Sequence, residues 1–218
     1  MPLTISFVGR SNSGKTTLVE TLVREFKRRN YNLATIKHSA HDFDLDHPGK
    51  DSWRFAEAGS NTIALSSPRK VALVRFVDRE ANLEELLHLI GEGFDLVLVE
   101  GFKNSNIGVP KVEVHRKEVG DMVCSPEELM ALVTNEPLDI AVPQFSPDDI
   151  GPLVDFIEQQ LAEWRGVDEV LLMVNDAPVH LDPYVKRNLH KTLMEMVSAL
   201  KCVEEVSSLR ISLRRGRS

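Results

Sequence analysis

Short apolar runs alternate along this chain with segments in which apolar residues recur every three or four positions. Leu3-Thr4-Ile5-Ser6-Phe7-Val8 reads as a buried strand. Leu18, Leu22 and Phe26, with Val19 and Val23 beside them, mark one face of a helix over about residues 15–29. Asn32 to Lys37 reads as a second strand, and Asp51 to Ala58 as a short helix. Thr62–Leu65 and Val71–Val74, joined through Ser-Ser-Pro-Arg-Lys, predict a hairpin. Asn82 is placed to cap a helix through Ile90. The nearly unbroken run Asp95-Leu96-Val97-Leu98-Val99 has the composition of a central parallel strand. Further strands are expected around Val112 and Val114 and over Met130–Val133, and a closing amphipathic helix over Asp148–Trp164. Strands and helices in this order imply an α/β domain, a mainly parallel sheet with helices on both faces, over residues 1–165.

After Arg165-Gly166-Val167-Asp168 the pattern changes. Val170–Val174 and Val179–Leu181 flank an Asn175-Asp176 turn, and Asp182-Pro183 is a helix start. Leu209, Ile211 and Leu213 alternate with Arg210, Ser212 and Arg214. The order is a small ββαβ module over residues 168–218, whose sequence names no chemistry.

Between the first strand and the first helix stands Gly9-Arg10-Ser11-Asn12-Ser13-Gly14-Lys15-Thr16, a full G-x-x-x-x-G-K-[ST] match. Strand, glycine loop and helix together are the context of a phosphate-binding loop, so the sheet is expected to be of the P-loop NTPase type. Gly9 frees the backbone as the chain leaves the strand. The backbone N–H groups through Asn12, Ser13 and Gly14 would form an anion nest at a helix N-terminus. Lys15 can reach the β- and γ-phosphate oxygens, and the Thr16 hydroxyl is placed to hold Mg²⁺.

Such a loop needs an acidic partner for the metal, and Glu100, at the end of the apolar run 95–99, is the candidate. It would hold a metal-bound water or orient an attacking one. The polar stretch 38–51 contains His38, His41, His47, Asp42, Asp44, Asp46 and Asp51, a composition that suits a lid over the γ-phosphate or a transition-metal site. Lys50, Asp51 and Arg54 add charges for phosphate, metal and substrate, and Asp51 is a candidate substrate base. No Asn/Thr-Lys-x-Asp guanine signature is present. The nearest candidate is Thr134-Asn135-Glu136 with Asp139 close by, where Asn135 could reach guanine O6 or N7. The residues leave GTP and ATP both open.

Composition narrows the setting. Of 218 residues, 42% are hydrophobic and 27% charged, ordinary for a globular protein. No apolar run approaches the ~20 residues of a membrane span. The N-terminus reads as a strand rather than a leader, and Cys124 and Cys202 fall in no motif, so a cytoplasmic protein without membrane attachment is expected. The net charge of −7 argues against a nucleic-acid binder. It is unevenly spread: residues 1–37 carry seven basic and two acidic side chains, which suits a phosphate ligand.

Gly9 to Thr17, Ile36-Lys37-His38, Gly49-Lys50-Asp51-Ser52-x-Arg54, Ala58-Gly59 and Val99-Glu100-Gly101-Phe102-Lys103 occur in one order. Over about residues 1–160 this resembles the molybdopterin-guanine dinucleotide biosynthesis protein B (MobB) family. The resemblance implies a homodimeric GTP-binding protein with weak GTPase activity. Its place would be as an adaptor in molybdenum cofactor maturation, beside the guanylyltransferase that attaches GMP to molybdopterin, with molybdopterin itself a candidate ligand. It implies Gly14, Lys15, Thr16 and Thr17 on phosphates and Mg²⁺, Glu100 near the metal, and Lys37, Asp51, Arg54 and Lys103 in the cleft. A small-molecule kinase using the same loop, with Asp51 as base, and a metallochaperone or adaptor NTPase are the competing readings.

Overall fold

The computed structural model describes residues 2–39, 47–91, 93–103 and 108–164, and beyond them 170, 172–175, 177–179, 181–200, 206, 209 and 211. The chain divides into two compact units, Met1–Gly166 and Val167–Ser218.

In the first unit the elements run β1 (Leu3–Val8), α1 (Lys15–Arg28), β2 (Leu33–Lys37), α2 (Asp51–Glu57), β3 (Thr62–Ser67), β4 (Lys70–Arg75), α3 (Leu83–Ile90), β5 (Leu96–Glu100), β6 (Lys111–His115), β7 (Leu129–Thr134), β8 (Gln144–Phe145) and α4 (Gly151–Trp164). Six strands form one sheet in the order β2-β5-β1-β6-β7-β8, and every pairing in it is parallel. β3 and β4 pair with each other as a separate antiparallel hairpin.

Side chains alternate across a strand, so a strand buried on both faces feeds two cores. β5 shows this directly. Leu96 and Leu98 join Ile5, Phe7, Leu22, Phe26, Leu153 and Ile157 in the larger core, on the face covered by α1 and α4. Val97 and Val99 join Ile36, Leu83 and Leu87 in a smaller core under α3. Helices therefore cover both faces. Arg29, at the C-terminal end of α1, ties the two helices of the larger face together by bonding Asp155 and Glu158 of α4 at 2.7 and 2.6 Å.

The helix starts follow local chemistry. Asn82 accepts from the Glu85 N–H at 2.9 Å while the Glu85 carboxylate accepts from the Asn82 N–H at 2.9 Å, a reciprocal capping box at the head of α3. α4 begins at Gly151 rather than the expected Asp148. Side chains in the preceding turn take the backbone donors instead: Asp148 N–H goes to Ser146 Oγ at 3.2 Å and Gly151 N–H to Asp149 Oδ1 at 3.3 Å. The two-residue edge strand β8 is too short to carry any periodicity and is an addition to the expected elements.

In the second unit β9 (Leu172–Val174) and β10 (Ala177–Val179) form an antiparallel pair, followed by α5 (Pro183–Ser198). The Asp182 carboxylate caps α5 by accepting from Tyr184 and Val185 N–H at 2.9 and 3.0 Å. The strand expected across Leu209, Ile211 and Leu213 lies largely outside the described residues.

Candidate functional site

In a parallel sheet all strand C-termini share one edge, and a ligand site is expected beyond them. The register places Lys37 and Phe7 on either side of Glu100, and Thr134 beside His115. The glycine loop leaves this edge from β1, between β5 on one flank and β6 on the other.

The two loop glycines meet different obstacles. Gly9 has φ +141°, and a Cβ there would lie 2.4 Å from the backbone oxygen of Val114 in β6. Gly14 has φ +96° and forms the N-cap of α1, so the first N–H groups of that helix are free of intrahelical partners. The three atoms nearest a Cβ on Gly14 would all belong to the Arg116 guanidinium, the first at 3.1 Å. Asn12 lies at the exposed outer turn of the loop with φ +63°. Ser13 is 1% exposed, and its buried Oγ has no hydrogen-bond partner.

Lys15 folds back over the loop. Its Nζ donates to the Gly9 oxygen at 3.0 Å and to the Arg10 oxygen at 2.6 Å. Burial pushes its pKa below the usual lysine value; the Glu100 charge opposes this and Lys37 reinforces it. Thr16 Oγ1 donates to both Glu100 carboxylate oxygens, at 2.9 and 3.0 Å. Lys37 Nζ lies 3.4 Å from Glu100 Oε1. A hydroxyl and a carboxylate oxygen in contact are hard donors of the kind Mg²⁺ takes. The donor set at Thr16 and Glu100 thus fits the ion, with two lysines flanking the same carboxylate.

β2 and β5 close this flank of the site. His38, directly after β2, donates its backbone N–H to the Glu100 backbone oxygen at 2.9 Å and stacks obliquely on Phe102, with centroids 4.6 Å apart. Its Nε2 pairs with the Glu80 carboxylate from the segment before α3. Gly101 holds φ +105° against the His38 Cβ, and its oxygen accepts from Ser6 Oγ at 2.6 Å.

The opposite flank carries residues that the sequence did not single out. Arg116 follows β6 directly, and its guanidinium lies over Gly14. Arg10 Nε donates to the Asp121 oxygen at 2.8 Å. Glu113, 1% exposed in β6, accepts from Val123 N–H at 2.7 Å and Cys124 N–H at 3.0 Å, fastening the turn that follows the strand. The missed signal was a basic residue at the end of a strand beside the loop strand, which becomes readable only with the strand order in hand.

The remaining candidates are more dispersed. Thr17 is exposed in the first turn of α1. Asp51 and Arg54 pair with each other at 3.7 Å on the exposed face of α2, and α2 packs on β3. Lys103 is exposed, and its charge is felt at Cys124. Asn135 is exposed just past the end of β7, two strands from the loop strand and on the same sheet edge. His41, Asp42, Asp44 and Asp46 lie outside the described residues; among those described, no group of three or more His, Cys, Asp or Glu could hold a metal. No helix among the described residues is long and apolar enough to cross a membrane.

Comparison with known proteins bears on the same stretch of chain. Residues 4–135 match the family model described as molybdopterin guanine dinucleotide synthesis protein B. A molybdopterin-guanine dinucleotide biosynthesis adapter protein of Haemophilus influenzae is 37% identical over 164 residues, 74% of this chain and 91% of that protein. The corresponding putative adapter of Methanocaldococcus jannaschii is 24% identical over 96% of both chains, so its match runs on through the second unit. A crystal structure of molybdopterin-guanine biosynthesis protein B superposes with a TM-score of 0.57 at 28% identity, covering 73% of this chain and 99% of the other. The Bacillus subtilis MobB structure gives 0.57 at 27% identity, over 73% and 98%. With the family model spanning more than half of the chain and a parallel sheet that carries its glycine loop between β5 and β6, this protein belongs to the MobB family.

Proposed function

We propose that this protein is an adapter in molybdopterin-guanine dinucleotide biosynthesis that binds GTP with Mg²⁺, hydrolyses it slowly, and works beside the guanylyltransferase of that pathway. The observation that carries the nucleotide part is the contact between Thr16 and Glu100 at 2.9 Å, beside a lysine folded onto the glycine loop. The loop N–H groups and Lys15 bind the phosphates, Thr16 and Glu100 hold the metal, and Lys37 stands beside the carboxylate at 3.4 Å. Mg²⁺, when bound, neutralises charge on the β- and γ-phosphate oxygens. Family membership supports guanine as the base, with Asn135 the side chain offered to it. Calorimetric titration with GTP and ATP, each with and without Mg²⁺, tests the reading. GTP is expected to bind more tightly than ATP; equal affinities would count against it.

Glu100→Gln separates the metal from the phosphates. The amide keeps the shape and a hydrogen bond from Thr16 but removes the charge. The variant is expected to bind GTP in EDTA about as well as the parent and to lose most of the gain from Mg²⁺, on the order of tenfold. An undiminished Mg²⁺ effect would place the ion elsewhere.

The homodimeric state draws support from the hairpin. Val71 is 75% exposed and Leu73 44%, and both lie on one face of β4, in a hairpin that pairs with no other strand among the described residues. Exposed apolar side chains grouped in this way are characteristic of association surfaces. The double variant Val71→Asp/Leu73→Asp is expected to run as a monomer in light scattering at micromolar concentration; an unchanged mass would assign the dimer contact to another surface.

A further inference from the structure

We infer that Arg116 is a phosphate-binding residue of this site, reaching the nucleoside-proximal phosphates from the flank opposite the metal. The inference rests on the nucleotide-binding reading above and adds a residue from a strand that no loop motif includes.

The guanidinium lies close to Gly14: Nη2, Cζ and Nε stand 3.1, 3.6 and 3.6 Å from the position a Gly14 Cβ would occupy. Gly14 is the N-cap of a 14-residue helix, where backbone N–H groups and the helix dipole present positive charge. Lys15, the next residue, adds an ammonium to the same loop. A third cation placed there is repelled by both, and among the described residues the Arg116 guanidinium has no hydrogen-bond or ion-pair partner to offset that. The arrangement becomes favourable when an anion lies between them. A further unused donor points the same way, the buried Oγ of Ser13, which has no partner in the loop.

Arg116 is also held in place. Its backbone oxygen accepts from Val119 N–H at 3.0 Å, and the following turn is fixed by Glu113 and by Arg10. Its backbone therefore has a set position from which the side chain reaches over the loop.

The strand order assigns which phosphates it meets. Thr16 and Glu100 mark the β5 flank of β1, and they would hold a metal whose charge offsets that of the terminal phosphates. Arg116 comes from β6, the other flank. It therefore meets the part of the chain of phosphates that leads toward the nucleoside, a part common to GTP and GDP. A planar guanidinium can bond two phosphate oxygens at once, which an ammonium cannot.

The test is titration calorimetry of the full chain with Mg²⁺-GTP and Mg²⁺-GDP, on the parent, Arg116→Ala and Arg116→Lys, with hydrolysis followed at saturating GTP. Arg116→Ala is expected to weaken both nucleotides about tenfold, the scale of one charge-assisted hydrogen bond, with Arg116→Lys recovering part of the loss. Turnover at saturation should change less than about twofold, because the interaction is equal in the bound and reacting states. Weakened GTP with unchanged GDP would move Arg116 to the terminal phosphate and overturn the assignment. Unchanged affinity for both in a parent that binds well would remove Arg116 from the site. A parent that binds neither nucleotide would instead sink the nucleotide-binding reading itself, and this inference with it.

Discussion

Lys15→Ala is expected to abolish measurable binding of triphosphate while leaving the chain folded. The ammonium bonds two loop carbonyls, those of Gly9 and Arg10, and lies near enough to Glu100 for that charge to stabilise it. Removing one partner of a partly buried charge pair costs about 2–5 kcal/mol, which is roughly 30-fold to several thousand-fold in affinity. The cost to the fold is smaller. Two hydrogen bonds to carbonyls are worth about 1–3 kcal/mol together, and water replaces part of that at a half-exposed site. For a unit of this size the loss amounts to a fall in melting temperature of a few degrees. The distinguishing measurement is the melting temperature with and without Mg²⁺-GTP. A ligand that binds only the native state raises it, so the parent should gain several degrees and the variant none. Normal affinity in the variant would mean that nucleotide binds somewhere other than this loop.

Gly9→Ala attacks the same loop through the backbone and should damage fold and function together. At φ +141° an L-residue is strained by about 1–3 kcal/mol. The added methyl would also stand 2.4 Å from the Val114 oxygen, and that atom belongs to a central strand that cannot move aside locally. Overpacking of this kind adds about 1–3 kcal/mol. The expected outcome is a melting temperature lower by roughly 5–20 °C, with no nucleotide binding in the fraction that folds. Gly14→Ala makes the informative contrast. Its neighbour is the far end of the Arg116 side chain, which can swing away, so only the backbone strain remains. If Gly9→Ala melted no lower than Gly14→Ala, the close approach of β1 and β6 at the loop would be wrong.

Much of the first unit could be read from the chain because its signals are local. β1 and α1 each carry a clear period, β5 is a nearly unbroken apolar run, and Gly9 to Thr16 spells out its own geometry. Glu100 could be named because its strand is wholly apolar, and the structure brings it onto Thr16. What escaped was information held between strands. Nothing in Val112-Glu113-Val114-His115-Arg116 says that this strand lies against β1, and only that neighbourhood turns Arg116 from a surface residue into one that overlies Gly14. Glu113 stands at a polar position between Val112 and Val114, yet it is buried, and two backbone N–H groups from the next turn donate to it. Asp51 and Arg54, candidates for the cleft on resemblance, pair with each other on α2, which packs on β3. The two residues of β8 leave no pattern at all.

The bond from Glu113 to the turn beyond β6 closes a ring of chain. Carboxylate and donor N–H groups are ten and eleven residues apart in sequence, so the segment between them is tethered at both ends. A tethered segment has surrendered its conformational entropy during folding rather than at the moment a ligand arrives. Arg116 sits inside that ring, and Asp121, which receives Arg10, sits inside it as well. If nucleotide binds as proposed, one wall of its site is preorganised by an interaction made behind it, and its affinity would be set in part by a buried glutamate that does not line it.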